Sequence, residues 1–256
     1  MQNIIFWLIS FEKENPWLEG SKDVESFLTR DELLQYQSFR FKKRQNEWLH
    51  GRWACKYLFR HSQDDSSSVS DLQVQIKNEA QGAPFMQSFP DGSRLPVTIS
   101  ISHRDQIAFC GLSDNPGIDI GVDIEKIESR SEAFMKDYFT NNEYTFGQSK
   151  KNPDEKDLWF TLCWSLKEAG LKALGKGLRL DTRCIEVNEN DEINLKLTNE
   201  VFKWRKIRIK WLDDSHSTRW LSYWAIKDGY VYTIAAAFHT TGFDPALVQV
   251  KTPFQE

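Results

Sequence analysis

The 256-residue sequence lacks several features that would place it in specialised protein classes. Its four cysteines (Cys55, Cys110, Cys163 and Cys184) form no CxxC pair and lie far apart. This pattern favours buried thiols in a reducing compartment over a disulfide framework or a zinc site. Basic residues are not in excess, since the formal net charge is −4 and the isoelectric point is about 5.8. Nucleic-acid-binding proteins normally show a basic balance, so we expect no nucleic-acid partner.

A long hydrophobic run is also missing. The apolar segment near the start, "NIIFWLI", is too short to span a bilayer and has no basic flank of the kind that a secretion signal carries. We therefore predict that this segment forms a first β-strand, that the protein has no membrane partner and that it is cytoplasmic.

The sequence does contain enough apolar material for a sizeable core, with 40% hydrophobic residues and ten tryptophans. Periodicity predicts helices over residues 31–60, 131–138 and 154–175. Strands are predicted around 72–77, 96–102, 106–112, 118–127, 184–197, 203–212 and 221–238, with a hairpin at "HRD" and an Asp-Gly turn near the end. Adjacent strands with few helices indicate an α+β fold with antiparallel sheets.

The chain is predicted to consist of two related halves. The turn-rich segment "SDNPG" (113–117) marks the boundary, which gives an N-terminal half of residues 1–114 and a C-terminal half of residues 115–256. Each predicted long helix carries a Trp and two charged residues at intervals of four: Trp48, Arg52 and Lys56 in the first, and Trp164, Glu168 and Lys172 in the second. This match supports a duplicated fold.

The strand "IDIGVDIE" concentrates carboxylates on one face. Ile and Val residues alternate with Asp119, Gly121, Asp123 and Glu125, so one face is apolar and the other acidic. Neighbouring carboxylates repel one another unless water or a cation screens them, and oxygen ligands of this kind suit Mg²⁺. A solvated strand face is the alternative. Asp119 lies further along the face and is a weaker candidate ligand.

The second long helix has two distinct faces. Its core stripe consists of Trp159, Leu162, Cys163, Leu166, Gly170 and Leu174. Trp164, Glu168 and Lys172 project from the opposite side at intervals of four residues. A solvated Glu–Lys pair is one interpretation of this face. A large aromatic outside the core stripe instead indicates a second packed surface, which we expect to meet the other half of the molecule.

The segments "GVDIE" and "WSLKEAGLK" together resemble the paired motifs of the 4′-phosphopantetheinyl transferases. Their glutamates, Glu125 and Glu168, lie 43 positions apart. "ISISHRDQIAF", "YFTNNEY" (which contains Glu143) and "GKGL" resemble further segments of that family in the same order, over about residues 97–178. The chain length resembles the surfactin-synthetase-activating type, which is a monomeric pseudo-dimer. The resemblance implies two similar α+β halves, each an antiparallel sheet with a long helix, and a coenzyme A cleft between them.

The implied reaction moves phosphopantetheine from coenzyme A to a serine of an apo acyl or peptidyl carrier protein and releases 3′,5′-ADP. By resemblance, Asp123, Glu125 and Glu168 bind Mg²⁺, and Mn²⁺ accepts the same ligands. Glu168 is also the candidate general base, and Lys172 would neutralise the phosphate, with Asp123 and Lys172 both next to coenzyme A.

The resemblance also implies a set of residues that bind the coenzyme A phosphates. His103, with Ser102 beside it, is expected to contact them, and a surface His at a turn is the alternative. Members of the family carry a basic residue about eight positions before the Gly of a Gly-Arg step. The basic run "RFKKR" precedes the Gly51-Arg52 step, so Lys43 is the first candidate and Arg44 the second.

One family position differs in this chain. The segment "QGAP" has Ala83 where the family usually has a Lys near the cofactor phosphates. This difference is the main argument for a second possible function, that of a non-catalytic relative that binds coenzyme A or a carrier protein. A metal-dependent hydrolase of related pyrophosphates is a third possible function.

Overall fold

Residues 3–18, 23–63, 69–188, 202–212, 218–238 and 245–252 are described by the computed structural model. They form two units: the first lies within Met1–Pro116 and Asp244–Glu256, and the second within Gly117–Phe243. The boundary falls in the predicted "SDNPG" turn. The predicted second half, 115–256, differs from the second unit at its end, because the last described strand belongs to the first unit.

The first unit is a four-stranded sheet with a long helix packed on it. Its helices and strands are β1 (Ile4–Phe11), α1 (Arg30–Ser38), α2 (Lys42–Ser62), β2 (Val74–Asn78), β3 (Pro84–Ser88), β4 (Thr98–Arg104), β5 (Ile107–Ser113) and β12 (Ala246–Gln249). The sheet order is β12-β1-β5-β4, and β2 pairs separately with β3. Strand β12 is parallel to β1 and the other pairs are antiparallel. This parallel pair is a departure from the predicted all-antiparallel sheet.

Local chemistry explains where the first unit differs from its predicted elements. The helix predicted over 31–60 is broken between α1 and α2, because Phe39 and Phe41 have extended backbone. The hairpin between β4 and β5 turns at Asp105 and Gln106, whose φ angles are 45° and 66°. A two-residue hairpin turn requires such positive angles. His103, placed at the turn by the sequence, is therefore still inside strand β4.

The second unit repeats the same plan of a sheet and a long helix. It contains β6 (Ile118–Lys126), α3 (Glu132–Tyr138), α4 (Asn141–Gln148), α5 (Pro153–Ala173), β7 (Ile185–Val187), β8 (Arg205–Ile207), β9 (Ile209–Trp211), β10 (Arg219–Lys227) and β11 (Tyr230–Phe238). The antiparallel sheet has the order β6-β11-β10-β8, and β7 pairs with β9. The α+β class is confirmed. Most of the strand predicted over 184–197 lies outside the described residues.

Helix α5 forms the centre of the second unit. Asn152 caps it, Pro153 occupies its first turn and acidic residues follow, all of which favour a helix start. Every residue from Leu158 to Lys167 is buried, so the helix is enclosed on all sides and does not present a single core stripe. It packs against β6, β11 and β7.

Each unit contains an equivalent buried Glu–Lys pair. The residues of the second pair lie 111 positions after those of the first (from 32 to 143, and from 56 to 167). Glu32 caps helix α1 by accepting from Thr29 N (3.1 Å), and Glu143 caps α4 by accepting from Thr140 N (2.8 Å). Each Glu also pairs with a Lys of the long helix, Lys56 at 2.7 Å and Lys167 at 2.9 Å. The paired side chains are at most 1% exposed.

The surrounding contacts repeat with the same separation. The other oxygen of each Glu accepts from a strand N–H, that of Ile76 (3.0 Å) or of Val187 (2.9 Å). The two Lys also donate to equivalent carbonyls, Asp71 O at 2.9 Å and Thr182 O at 3.0 Å. The duplicated fold predicted from sequence is therefore present within the units.

The register predicted for the duplication was wrong. The structural counterpart of Lys56 is Lys167, and the counterpart of Glu168 is Tyr57. The sequence match placed Lys56 opposite Lys172 because Trp and charged residues at intervals of four occur in both helices, shifted by five positions.

We expect the replacement Lys56→Met to lower the free energy of unfolding by about 3–5 kcal/mol, because it leaves Glu32 charged and buried without its partner. The control Lys43→Met removes a cation that is 89% exposed and should change stability by less than about 0.5 kcal/mol. Urea denaturation of both variants measures this. A loss of under about 1 kcal/mol in the Lys56 variant would contradict the structural role.

Candidate functional site

Strand β6 lies in direct contact with the backbone of helix α5 at Gly121. A Cβ at this position would lie 1.8 Å from Ala169 O and 2.6 Å from Ala173 N. Only glycine permits this approach. Consequently Asp123 and Glu125 of the acidic face are buried, whereas Asp119 of the same face is exposed.

The approach brings three of the predicted residues together. Asp123, Glu125 and Glu168 each offer one oxygen, and the three oxygens lie within 4.8 Å of one another. Asp123 is 1% exposed and Glu125 is 8% exposed. The two sequence segments that carry the motifs therefore form one cluster of carboxylates.

Lys172 supplies a positive charge to this cluster. Its Nζ donates to Asp123 Oδ1 (2.7 Å) and to Val122 O (3.1 Å), and lies 3.8 Å from Glu168 Oε2. Burial alone would lower the pKa of Lys172, but Asp123 and Glu168 outweigh it and raise the pKa above its ordinary value. Lys172 therefore remains protonated at neutral pH.

Glu168, in contrast to Lys172, is driven towards its neutral, protonated form. Burial, followed by the negative charge of Asp123, raises the pKa of Glu168 from 4.5 to about 8, although Lys172 opposes the shift. A carboxyl group with a pKa near neutrality exchanges its proton readily, which suits either a proton acceptor or a ligand that loses its proton when a cation binds.

Glu125 is held by two donors. The indole Nε1 of Trp164 donates to Oε1 (3.2 Å), and Arg130 Nη2 donates to Oε2 (3.1 Å). The Trp164 ring packs edge-on against Phe134 and Tyr138, with centroid distances of 4.9 Å and 5.2 Å. The second packed surface predicted for Trp164 thus exists inside its own unit. Arg130 was missed, since a single Arg in a loop carries no spacing signal.

These carboxylates fit a hard divalent cation. Oxygen ligands at short range suit Mg²⁺ and Mn²⁺, which bind one or a few carboxylates and complete their shell with other oxygens. Glu143, from the segment "YFTNNEY", lies outside the cluster, since it caps α4 and pairs with Lys167.

The first unit contains a cavity of about 310 Å³ with a cationic lining. Arg44, Arg52 and His103 line it, together with Trp48 and Asn78. Of the two predicted basic candidates, Arg44 lines this cavity, whereas Lys43 points to solvent and lies 4.0 Å from Glu47. Ser102 is buried and is not among the lining residues.

Arg52 is the most buried cation of this cavity and was not a predicted site residue. It is 6% exposed, it stacks over Trp48 at 4.7 Å, and its Nη2 donates to Asn78 Oδ1 at 3.0 Å. Within the described part of the chain it forms no ion pair with a carboxylate. A buried guanidinium that is not neutralised by a direct ion pair suits an anionic ligand.

Gly51 allows His103 to reach the cavity. A Cβ on Gly51 would lie 2.5 Å from His103 Nε2 and 3.2 Å from Ile101 Cγ2. Any larger residue would push the imidazole away. Ala83 lies between Gly82 and Pro84, which both line the cavity, so the position where the family usually has a Lys is at its edge.

Comparison with known proteins gives consistent similarities. Residues 119–235 match the model of the 4′-phosphopantetheinyl transferase superfamily. The chain is 25% identical over 222 residues to the 4′-phosphopantetheinyl transferase Sfp of Bacillus subtilis, covering 86% of each chain. It is 32% identical over 123 residues to the 4′-phosphopantetheinyl transferase gsp of Aneurinibacillus migulanus, covering 48% of this chain and 47% of that one. A holo-[acyl-carrier-protein] synthase of Lactococcus lactis is 34% identical over 94 residues, covering 36% of this chain and 79% of that one.

Among the described residues, no helix combines the length and the apolar character that a membrane crossing requires.

We expect Glu168 to make the metal-free protein less stable as pH rises. Because the pKa of Glu168 is about 8 in the folded protein and 4.5 ordinarily, the folded state retains a proton that the unfolded state has lost between these values. Its contribution to the free energy of unfolding therefore falls between pH 4.5 and 8, by at most about 1.4 kcal/mol per pH unit. Denaturation with a chelator present should show this fall relative to Glu168→Gln, and parallel profiles for the two proteins would contradict it.

Proposed function

Because the chain belongs to the 4′-phosphopantetheinyl transferase superfamily, with Sfp-type relatives, we propose that it transfers the 4′-phosphopantetheine group of coenzyme A to a serine of an apo acyl or peptidyl carrier protein. The observation that carries this proposal is the cluster of Asp123, Glu125 and Glu168 around which Lys172 is placed. The two motifs that resemble the family supply these four side chains, and the fold brings them to one point.

The cluster supports a requirement for a divalent cation, Mg²⁺ or Mn²⁺, held by Asp123, Glu125 and Glu168. When bound, the ion would neutralise the charge of the coenzyme A pyrophosphate. Lys172 would stabilise negative charge on the oxygens of the phosphoryl group that is attacked and on the departing 3′,5′-ADP, because Asp123 and Glu168 keep it protonated.

Glu168 is the candidate base for the serine hydroxyl proton. Without a bound cation its pKa is raised to about 8, so its deprotonated form is a stronger base than an ordinary carboxylate. A carboxylate that binds a cation is a weaker base, so we assign proton acceptance to the Glu168 oxygen that is not a ligand, or to a water held by that oxygen.

The cavity of the first unit supports a subsite for the coenzyme A phosphates. Arg44, Arg52 and His103 provide two permanent charges and one imidazole around about 310 Å³. This assignment retains Arg44 and His103 from the predicted set, adds Arg52, and places Lys43 and Ser102 outside the cavity lining. Such a cationic cluster recognises the negatively charged phosphates of a ligand.

Two further observations support a cytoplasmic enzyme that acts as a monomer. All four cysteines are buried thiols, as is usual in a reducing compartment. Two units with the same sheet-and-helix plan in one chain provide both the cationic cavity and the carboxylate cluster without a second copy.

The Glu168→Gln variant tests the function directly. Purified protein, an apo carrier domain, coenzyme A and Mg²⁺ are mixed, and the carrier is weighed by mass spectrometry. We expect a phosphopantetheine adduct with the wild type, and a loss of at least about 100-fold in rate with Glu168→Gln, because removal of one acid–base group typically has that effect. The exposed Asp154→Asn variant of the same helix is the control and should keep full activity.

The outcomes also distinguish the alternatives. Binding of coenzyme A without an adduct would indicate a non-catalytic relative, for which the loss of the family Lys at Ala83 is the supporting observation. Consumption of coenzyme A without an adduct would indicate a hydrolase. Near-normal transfer by Glu168→Gln would remove this residue from the mechanism.

We expect Ala83→Lys to tighten coenzyme A binding by about threefold to tenfold, because it adds a cation at the edge of the phosphate-binding cavity. Calorimetric titration of the variant measures this. The control Gln81→Lys adds the same charge two residues away, at an exposed position that does not itself line the cavity, and should have a smaller effect. No gain in Ala83→Lys, or an equal gain in the control, would contradict the placement.

A further inference from the structure

The carboxylate of Glu125 lies in a closed circuit of contacts formed by three other residues. Arg130 donates to one oxygen (3.1 Å) and Trp164 donates to the other (3.2 Å). Phe134 lies between these two donors: the Arg130 guanidinium carbon is 5.3 Å from its ring centroid, and the Trp164 ring meets it edge-on at 4.9 Å. Both oxygens of Glu125 are therefore fixed in direction by groups that also pack on each other.

Local structure fixes Arg130 in this circuit. It directly precedes Ser131, whose hydroxyl caps helix α3 by accepting from Phe134 N at 3.2 Å. The Arg130 side chain is 13% exposed and the Glu125 side chain is 11% exposed, so water screens this ion pair only in part. A second contact, from Nη1 to Glu128 Oε1 at 3.3 Å, holds the other end of the guanidinium.

Arg130 is thus the second cation committed to the carboxylate cluster. Lys172 balances Asp123 at 2.7 Å, and Arg130 balances Glu125. A divalent ion that binds these carboxylates meets a cluster whose negative charge two resident cations already offset. Lys172 belongs to the sequence motif, whereas Arg130 lies outside the motif, in the loop that follows β6.

We propose that Arg130 is a positioning residue that acts through Glu125: it orients this carboxylate and lowers the affinity of the cluster for a bare divalent ion. The inference rests on the proposed function, because that function assigns Glu125 to the metal site. A site attenuated in this way holds its ion firmly when further oxygen ligands, such as substrate phosphates, join it. Arg130 therefore favours loading of the ion together with the substrate over loading of the ion alone.

Two substitutions separate charge from orientation. Arg130→Gln removes the charge and keeps a polar side chain, so it should increase the affinity for Mn²⁺ in the absence of coenzyme A by roughly tenfold, as the loss of one nearby positive charge implies. Arg130→Lys retains the charge and should stay within about twofold of the wild type. Lys136→Gln is the matched control, since it removes an exposed cation from the same unit that pairs with Glu132 away from the cluster.

Titration with Mn²⁺, followed by the electron paramagnetic resonance signal of the free ion, measures these affinities. Asp123→Asn serves as the reference for non-specific binding, and cooperative thermal unfolding of each variant verifies its fold. Unchanged or weaker binding in Arg130→Gln, or an equal gain in Lys136→Gln, would overturn the role of Arg130 alone. No difference between the wild type and Asp123→Asn, with or without coenzyme A, would overturn the metal site and the role of Arg130 with it.

Discussion

The approach of strand β6 to helix α5 at Gly121 is the constraint on which the candidate site depends. Because a Cβ there would overlap Ala169 O, the two backbones approach to a distance that other residues exclude. The approach buries Asp123 and Glu125 beside Glu168, and burial, followed by the like charge of Asp123, raises the pKa of Glu168. The negative charge of these carboxylates then requires nearby cations, which Lys172 and Arg130 supply. The buried carboxylates lower the stability of the fold, but they provide negative charge to which a cation can bind. Functional sites often contain perturbed groups of this kind.

The two units show how one scaffold separates structural from chemical roles. In each unit a buried Glu–Lys pair joins a helix cap, a long helix and a strand N–H, so this pair maintains the fold in both. Among the described residues such a carboxylate cluster is found in the second unit, where Glu168 takes the place that Tyr57 occupies in the first. The Lys and the Glu that are adjacent in "WSLKEAGLK" therefore have different roles: Lys167 is structural, and Glu168 faces the carboxylate cluster.

Sequence patterns predicted the elements whose signals are local. Strand β1, helix α5 and the Asp228-Gly229 turn follow from periodicity and turn chemistry. Helix α4 and strand β3 were not predicted, because they are short and are held by contacts with distant parts of their units, such as the Glu143 bond to Val187 N. The repeat was recognised, but its register was shifted, since spacing alone does not reveal which Lys is paired with the capping Glu.

Motif residues and periodicity were enough to predict the family, the α+β class and the identity of the carboxylates. The tertiary structure shows that Arg44 and not Lys43 lines the cavity, and that Trp164 packs against Phe134 on a second buried face of its helix. It also decided that Arg130 belongs to the cluster. These features depend on which side chains meet across elements, and spacing along one element contains no information about its neighbours in space.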